Sequence, residues 1–280
     1  MTFVEKITIF CFAASYGVAF MLDMLHALRS RPVLRVLSLI FGSAGLLAHT
    51  LYIAVQPLSL ADRRGSLLFL AWILAVFYAY GSFHHKRVAW GLFALPMVLG
   101  LIVLSVVLPP DQNRIEEGGW TRFFQILQLH GEKFWGWVHG LLLLFAAVGV
   151  CVGCVASIMY LVQVRRLRTK MAPTQGMRML SLERIEAMNR RAILWAFPFL
   201  TAGLLVGVAL KLHQPETFWT WDPKLLSGLG LWFVFAVLLY LRYSVHVRGR
   251  QAAWWTLIAF VVLVAALVSP GHSFSQGVEP

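Results

Sequence analysis

The sequence predicts an all-α fold: a polytopic membrane helix bundle of about eight transmembrane helices, with both termini on the outer, extracytoplasmic side. Three observations carry this expectation. Of 280 residues, 59% are hydrophobic and only 13% are charged, about half the charge of a soluble domain of this length. The apolar residues run continuously instead of alternating, which argues against a membrane barrel. The runs also approach the ~20 residues that a helix needs to cross the hydrocarbon core.

Taken in order, the spans fall at about 7–25, 33–55, 66–83, 88–108, 136–163, 192–212, 224–241 and 252–269. The first follows Lys6 as a secretion signal would. It is long enough to span, however, and no small-residue cleavage site follows it, so it reads as a helix. The third run is the short one and the fifth the long one. Residues 1–280 form a single integral-membrane domain with three connecting segments of interest. Segment 109–135 is an outer loop in which Trp120, Phe123, Phe124, Leu127 and His130 have the spacing of an interfacial helix. Segment 165–191 is basic and cytoplasmic, and its part 178–191 mixes Arg with Leu, Ile and Met as an interfacial helix would, with Ser181 as N-cap. Segment 213–224 is an outer, Trp-rich loop.

The net charge of +12 is not a nucleic-acid footprint, because Lys and Arg sit between apolar runs where they orient helices and meet lipid headgroups. The first, third, fifth and seventh connections hold three, two, eight and three of them, 16 of the 24 in the chain. The positive-inside rule therefore places those connections in the cytoplasm. Cys11, Cys151 and Cys154 all lie in apolar runs, so no disulfide framework is indicated. Cys151 and Cys154 form a C-x-x-C in mid-span, where Cys packs as a small hydrophobe beside Gly149 and Gly153. Asp23 lies in the first span near its cytoplasmic end, within reach of a neighbouring Arg. Inverted repeats and paired broken helices, the marks of a solute transporter, are not evident.

The topology sorts the histidines. His26, His84, His85 and His246 fall on the cytoplasmic side among basic residues, whereas His49, His130, His139, His213 and His272 fall at or near the outer face. Between the sixth and seventh spans the chain reads His213-Gln-Pro-Glu-Thr-Phe218-Trp219-Thr-Trp221-Asp222-Pro223-Lys224. Asp followed by Pro is a good N-cap and first helical residue, and Trp belongs at the headgroup level. The two indoles also make a shelf for a flat apolar ligand such as a porphyrin, for which neutral imidazole is a suitable axial ligand. His139 enters the membrane at the start of the fifth span, after Trp135 and Trp137, and His272 lies just beyond the eighth.

At these residues the sequence resembles the cytochrome c assembly family of Trp-rich, haem-handling membrane proteins, whose branches include CcsA/ResC and HemX-like proteins. The family motif ends Trp-x-Trp-Asp-Pro-Lys, matched by Trp219 to Lys224. The stretch from Ser181 through Arg190, the run Phe197 to Gly203, and Gly271-His272-Ser273 are similar as well. His49-Thr-Leu-Tyr52 and Ser66 to Trp72 look like the HemX-like branch. The resemblance implies haem b, bound or in transit, held at the outer face. His139 and His272 would be its axial ligands, Trp219, Trp221 and Asp222 the shelf, and Lys224 or another outer cation the propionate partner. No residue is implied as a covalent catalyst. A delivery component of a cytochrome c synthetase is implied more strongly than a complete enzyme, with a CcsB/ResB-like subunit and apocytochrome c as partners in a bacterial cytoplasmic membrane. The HemX-like branch implies a different role, that of a regulator or scaffold for a haem-biosynthesis enzyme bound through the cytoplasmic segment. The sequence departs from the pattern in three places. The motif opens only with Phe218-Trp219, Leu225 replaces a common Glu, and Tyr240-Leu241-Arg242 replaces a Tyr-Leu-His, leaving no imidazole there for a second haem.

Overall fold

The computed structural model describes residues 8–56, 58, 62–84, 89–108, 132–169, 180–212, 223–244 and 249–268, without the side chains of 132, 133 and 223–225. Among the described residues it contains eight helices: α1 (Ile9–Arg29), α2 (Pro32–Val55), α3 (Arg63–His84), α4 (Gly91–Val107), α5 (Glu132–Arg168), α6 (Leu182–Leu212), α7 (Pro223–Tyr243) and α8 (Arg250–Val268). Seven are long and apolar enough to cross a bilayer, and α4 is the shorter one at 17 residues. The predicted all-α bundle is what is found, with no strand among the described residues.

Local chemistry explains where the helices begin. Ser30 takes the left-handed conformation at the end of α1, and Pro32 then opens α2, so two residues suffice for the reversal. The third span is longer than the apolar run suggests, because the Asp62 carboxylate accepts from the Gly65 backbone N–H at 3.3 Å and starts α3 at Arg63. The short helix is therefore α4, with Pro96 inside it. Pro223 opens α7, as the Asp-Pro pair predicts.

The helices form two groups of four. In the first, α1 packs on α2 and α4, and α3 on α2 and α4; in the second, α5 packs on α6 and α8, and α7 on α6 and α8. The groups meet mainly where α3 and α4 touch α5. Arg63, at the start of α3, also donates to the Val268 carbonyl at the end of α8 (3.3 Å).

The pair α5–α6 dominates the second group. A Cβ on Gly149 would lie 2.7 Å from Ala196 Cβ and 2.9 Å from the Ala192 carbonyl, so these helices touch almost backbone to backbone. Gly153 similarly faces Thr256 of α8, and Cys151 and Cys154 are buried free thiols in this packing. With 37 and 31 residues, α5 and α6 measure about 55 and 46 Å, well beyond a ~30 Å hydrocarbon core. The expected separate interfacial helix at 178–191 is thus corrected: from Leu182 onward it is the first part of α6. Ile185, Asn189, Ile193, Ala196 and Leu200 form one buried stripe that faces its neighbours across the supposed boundary. Ser181 does cap this helix, accepting from the Arg184 N–H at 3.4 Å.

Candidate functional site

His139 lies two turns into α5 and faces α6. Its Nδ1 is 2.7 Å from the Gly203 carbonyl oxygen. A carbonyl only accepts, so Nδ1 carries the proton and the lone pair of the neutral ring is on Nε2. Ligating imidazoles are commonly oriented in this way, by a backbone carbonyl on the far nitrogen. The ring fits because α6 carries no side chain opposite it. A Cβ on Gly207 would stand 2.7 Å from His139 Cε1 and 3.0 Å from Nδ1. Gly203 and Gly207 are one helical turn apart, and the next position on that face is Lys211, which turns inward and is buried.

Helix α7 is fixed beside the same part of α6. The Trp232 indole donates to the Thr201 hydroxyl at 3.0 Å, and its ring lies 5.7 Å from Phe197. A Cβ on Gly228 would meet Leu204 at 3.0 Å. In the chain, α6 ends at Leu212 and α7 starts at Pro223, and the segment 213–222 between them is outside the described residues. His272, Trp219, Trp221 and Asp222 lie outside the described residues, as do His130 and His213; Lys224 is in the first turn of α7, its side chain not described.

His49 does not join His139. It is fully buried in the first group of helices, stacked on Phe12 with centroids 4.2 Å apart and planes at 4°. Nearby, the Trp72 indole donates to Thr50 at 2.9 Å, so the two N-terminal motifs, His49 to Tyr52 and Ser66 to Trp72, meet in space. His26 and His84 bond locally, to the Arg31 and Tyr80 carbonyls.

A second polar cluster lies at the end that carries most of the basic residues. The Asn189 amide donates to the Gly153 carbonyl (3.0 Å), Ser157 (2.9 Å) and Thr256 (3.2 Å), while its oxygen accepts from Arg242 at 2.7 Å. Arg242 also donates to the Glu186 carbonyl at 3.3 Å and lies 3.8 Å from its carboxylate. Only 7% of Arg242 is exposed. The residue that replaces the expected histidine therefore ties α7 to α6 at Asn189, the side chain that also bonds to α5 and α8. Gly207, Lys211, and the Asn189 partners Ser157 and Thr256 are the residues that sequence reasoning missed. The one available signal was a Gly-x-x-x-Gly spacing that continues four residues later into Lys211.

Eight apolar helices with a half-buried imidazole on a glycine face define a polytopic integral-membrane protein with a polar site inside a helix pair. The chain belongs to the cytochrome C assembly protein family, whose family model matches residues 60–269. It is 24% identical over 220 residues to the cytochrome c biogenesis protein CcsA of Guillardia theta, covering 73% of this chain and 70% of that protein. The CcsA protein of Gloeobacter violaceus is 23% identical over 291 residues, covering 84% and 83%. That of Spinacia oleracea is 30% identical over 82 residues, 29% of this chain and 25% of that protein. No solved structure matches. Helices α1 and α2 precede the matched region.

Proposed function

We propose that this cytochrome c biogenesis membrane protein holds haem b at its outer face, between His139 and His272 and against Trp219 and Trp221. The observation that carries the reading is the His139 ring, whose Nδ1–H is committed to the Gly203 carbonyl at 2.7 Å. Its Nε2 has the lone pair that an iron ligand requires. Lys211 joins Lys224 as a candidate propionate partner, since it extends the same face of α6 by one turn. Asp222 caps α7 and orders the aromatic loop. The basic residues around α5–α6 and α7–α8 face the cytoplasm in this arrangement, and both termini lie outside. When bound, haem supplies a redox-active iron and vinyl groups. The chain's own residues orient it and hold its carboxylates. Thioether formation needs the thiols of apocytochrome c and a CcsB/ResB-like subunit.

The test is an absorbance titration of the purified protein with haem. The wild type is expected to give a low-spin bis-imidazole spectrum, lost in both His139→Ala and His272→Ala. A wild type that binds no haem, or variants that bind it unchanged, would refute the proposal.

A second reading is a HemX-like regulator or scaffold of a haem-biosynthesis enzyme. It is favoured by Arg242 occupying the histidine position and by the extension of α5 and α6 beyond bilayer thickness towards the basic segment. Retention of such an enzyme by the full chain, and its loss on deleting 170–179, is the expected result under that reading.

A further inference from the structure

The facing surfaces of α1 and α2 are polar where a lipid-embedded hairpin usually packs Leu and Ile. The buried side of α1 includes Phe12, Tyr16, Ala19 and Asp23, and that of α2 is Ser38, Gly42, Gly45, His49 and Tyr52. Two of the glycines make room for phenol rings. A Cβ on Gly42 would stand 2.9 Å from the Tyr78 hydroxyl, and one on Gly45 would stand 3.0 Å from the Tyr16 ring.

The polar groups form a line. Arg35 pairs with Asp23 Oδ1 at 3.4 Å. The Asp23 carboxyl and the Tyr78 ring both border Gly91, and Ser38 stands one turn before Gly42, which faces the Tyr78 hydroxyl. Tyr78 and Tyr16 pack against α2 at Gly42 and Gly45, three residues apart on its buried face. The Tyr16 hydroxyl is 3.5 Å from His49 Nδ1. All five of these groups are at most 3% exposed. Along α2 the line runs from Ser38 to His49, about 16 Å. It stops six residues short of the ends of α1 and α2 at Arg29 and Val55, about 9 Å at either side.

Packing does not account for this line. Asp23 Oδ2, Ser38 Oγ, Tyr78 Oη, Ser82 Oγ and His49 Nε2 are buried without a hydrogen-bond partner among the described residues. In lipid each carries an uncompensated desolvation penalty that Phe or Leu in its place would avoid. Carboxyl, hydroxyl and imidazole share one property that Phe and Leu lack: each can accept a proton on one side and release one on the other. We propose that Asp23, Ser38, Tyr78, Tyr16 and His49 form a proton path through α1–α4, with water molecules between their oxygens. A proton is taken up at Asp23 Oδ2, the oxygen not paired with Arg35. Each hydroxyl accepts a proton as it releases its own. Tyr16 passes a proton to His49 Nδ1, and His49 releases one from Nε2, so Asp23 returns to the carboxylate paired with Arg35 and no group is oxidised. The path is independent of the haem site and lies largely before the region matched by the family.

The test uses the full chain reconstituted in liposomes that enclose a pH-sensitive dye, with a potassium diffusion potential driving protons. Wild-type vesicles are expected to acidify about tenfold faster than protein-free vesicles, equivalent to about 1.4 kcal/mol on the barrier. Tyr16→Phe and Tyr78→Phe preserve shape and are each expected to remove this excess, with elution in size exclusion unchanged. If either variant elutes abnormally, Gly42→Ala probes the same point by pressing a methyl group on the Tyr78 hydroxyl, and it too should slow the flux. Wild-type flux at the protein-free level, or wild-type flux in a correctly folded variant, overturns the proposal.

Discussion

At the scale of single residues, the site depends on what is missing from α6. Gly207→Ala would put a methyl group 2.7 Å from His139 Cε1, so the ring must turn away from the Gly203 carbonyl. Loss of such an orienting contact lowers affinity for the liganded group about ten- to hundredfold, and haem titration of G207A checks this. Arg242→Met removes the donor to Asn189 Oδ1 and leaves a buried amide oxygen unpaired, a cost of about 1–3 kcal/mol. Denaturant unfolding of the detergent-solubilised protein should show it. His139 was legible as a candidate because its position at a span start and the family resemblance coincided. Its supports were not, since the register between α5 and α6 decides which glycine faces the ring. Arg242 read as a departure from a pattern; only the structure shows its guanidinium bonded to Asn189, the residue that also holds α5 and α8.

Among the elements, the close approach of α5 and α6 is the most exacting. Gly149→Val would set its side chain against Ala196 and the Ala192 carbonyl, and backbone cannot move aside as a flexible side chain can. Overpacking of this kind costs about 1–3 kcal/mol, so a lower thermal midpoint is expected for G149V. The eight spans were legible because continuous apolar runs admit few other readings in lipid. Their ends were less so. The start of α6 was hidden by Arg184, Arg190 and Arg191, which suggest a helix lying on the membrane surface, while Ile185 and Ile193 on the opposite side keep the segment packed upright. The length of α3 depended on Asp62, a cap that lies outside the hydrophobic pattern.

For the whole molecule, the two groups of four helices divide the work. The proposed haem site belongs to α5–α8, and the proposed proton path to α1–α4. Orientation links both to the membrane: Thr174→Cys in a Cys11→Ser background is expected to react with an impermeant maleimide only after the membrane is opened. Labelling in intact cells would invert the arrangement. The Asn189 cluster adds a constraint of a different kind, one of time. Asn189 bonds to residues 32, 36, 53 and 67 positions away in the chain. While the chain emerges from the ribosome, its amide therefore has to wait for Arg242 on α7 and then Thr256 on α8. A nascent chain stalled before α8 holds a polar group in lipid that lacks one of its acceptors. Helix α8 thus completes the second group.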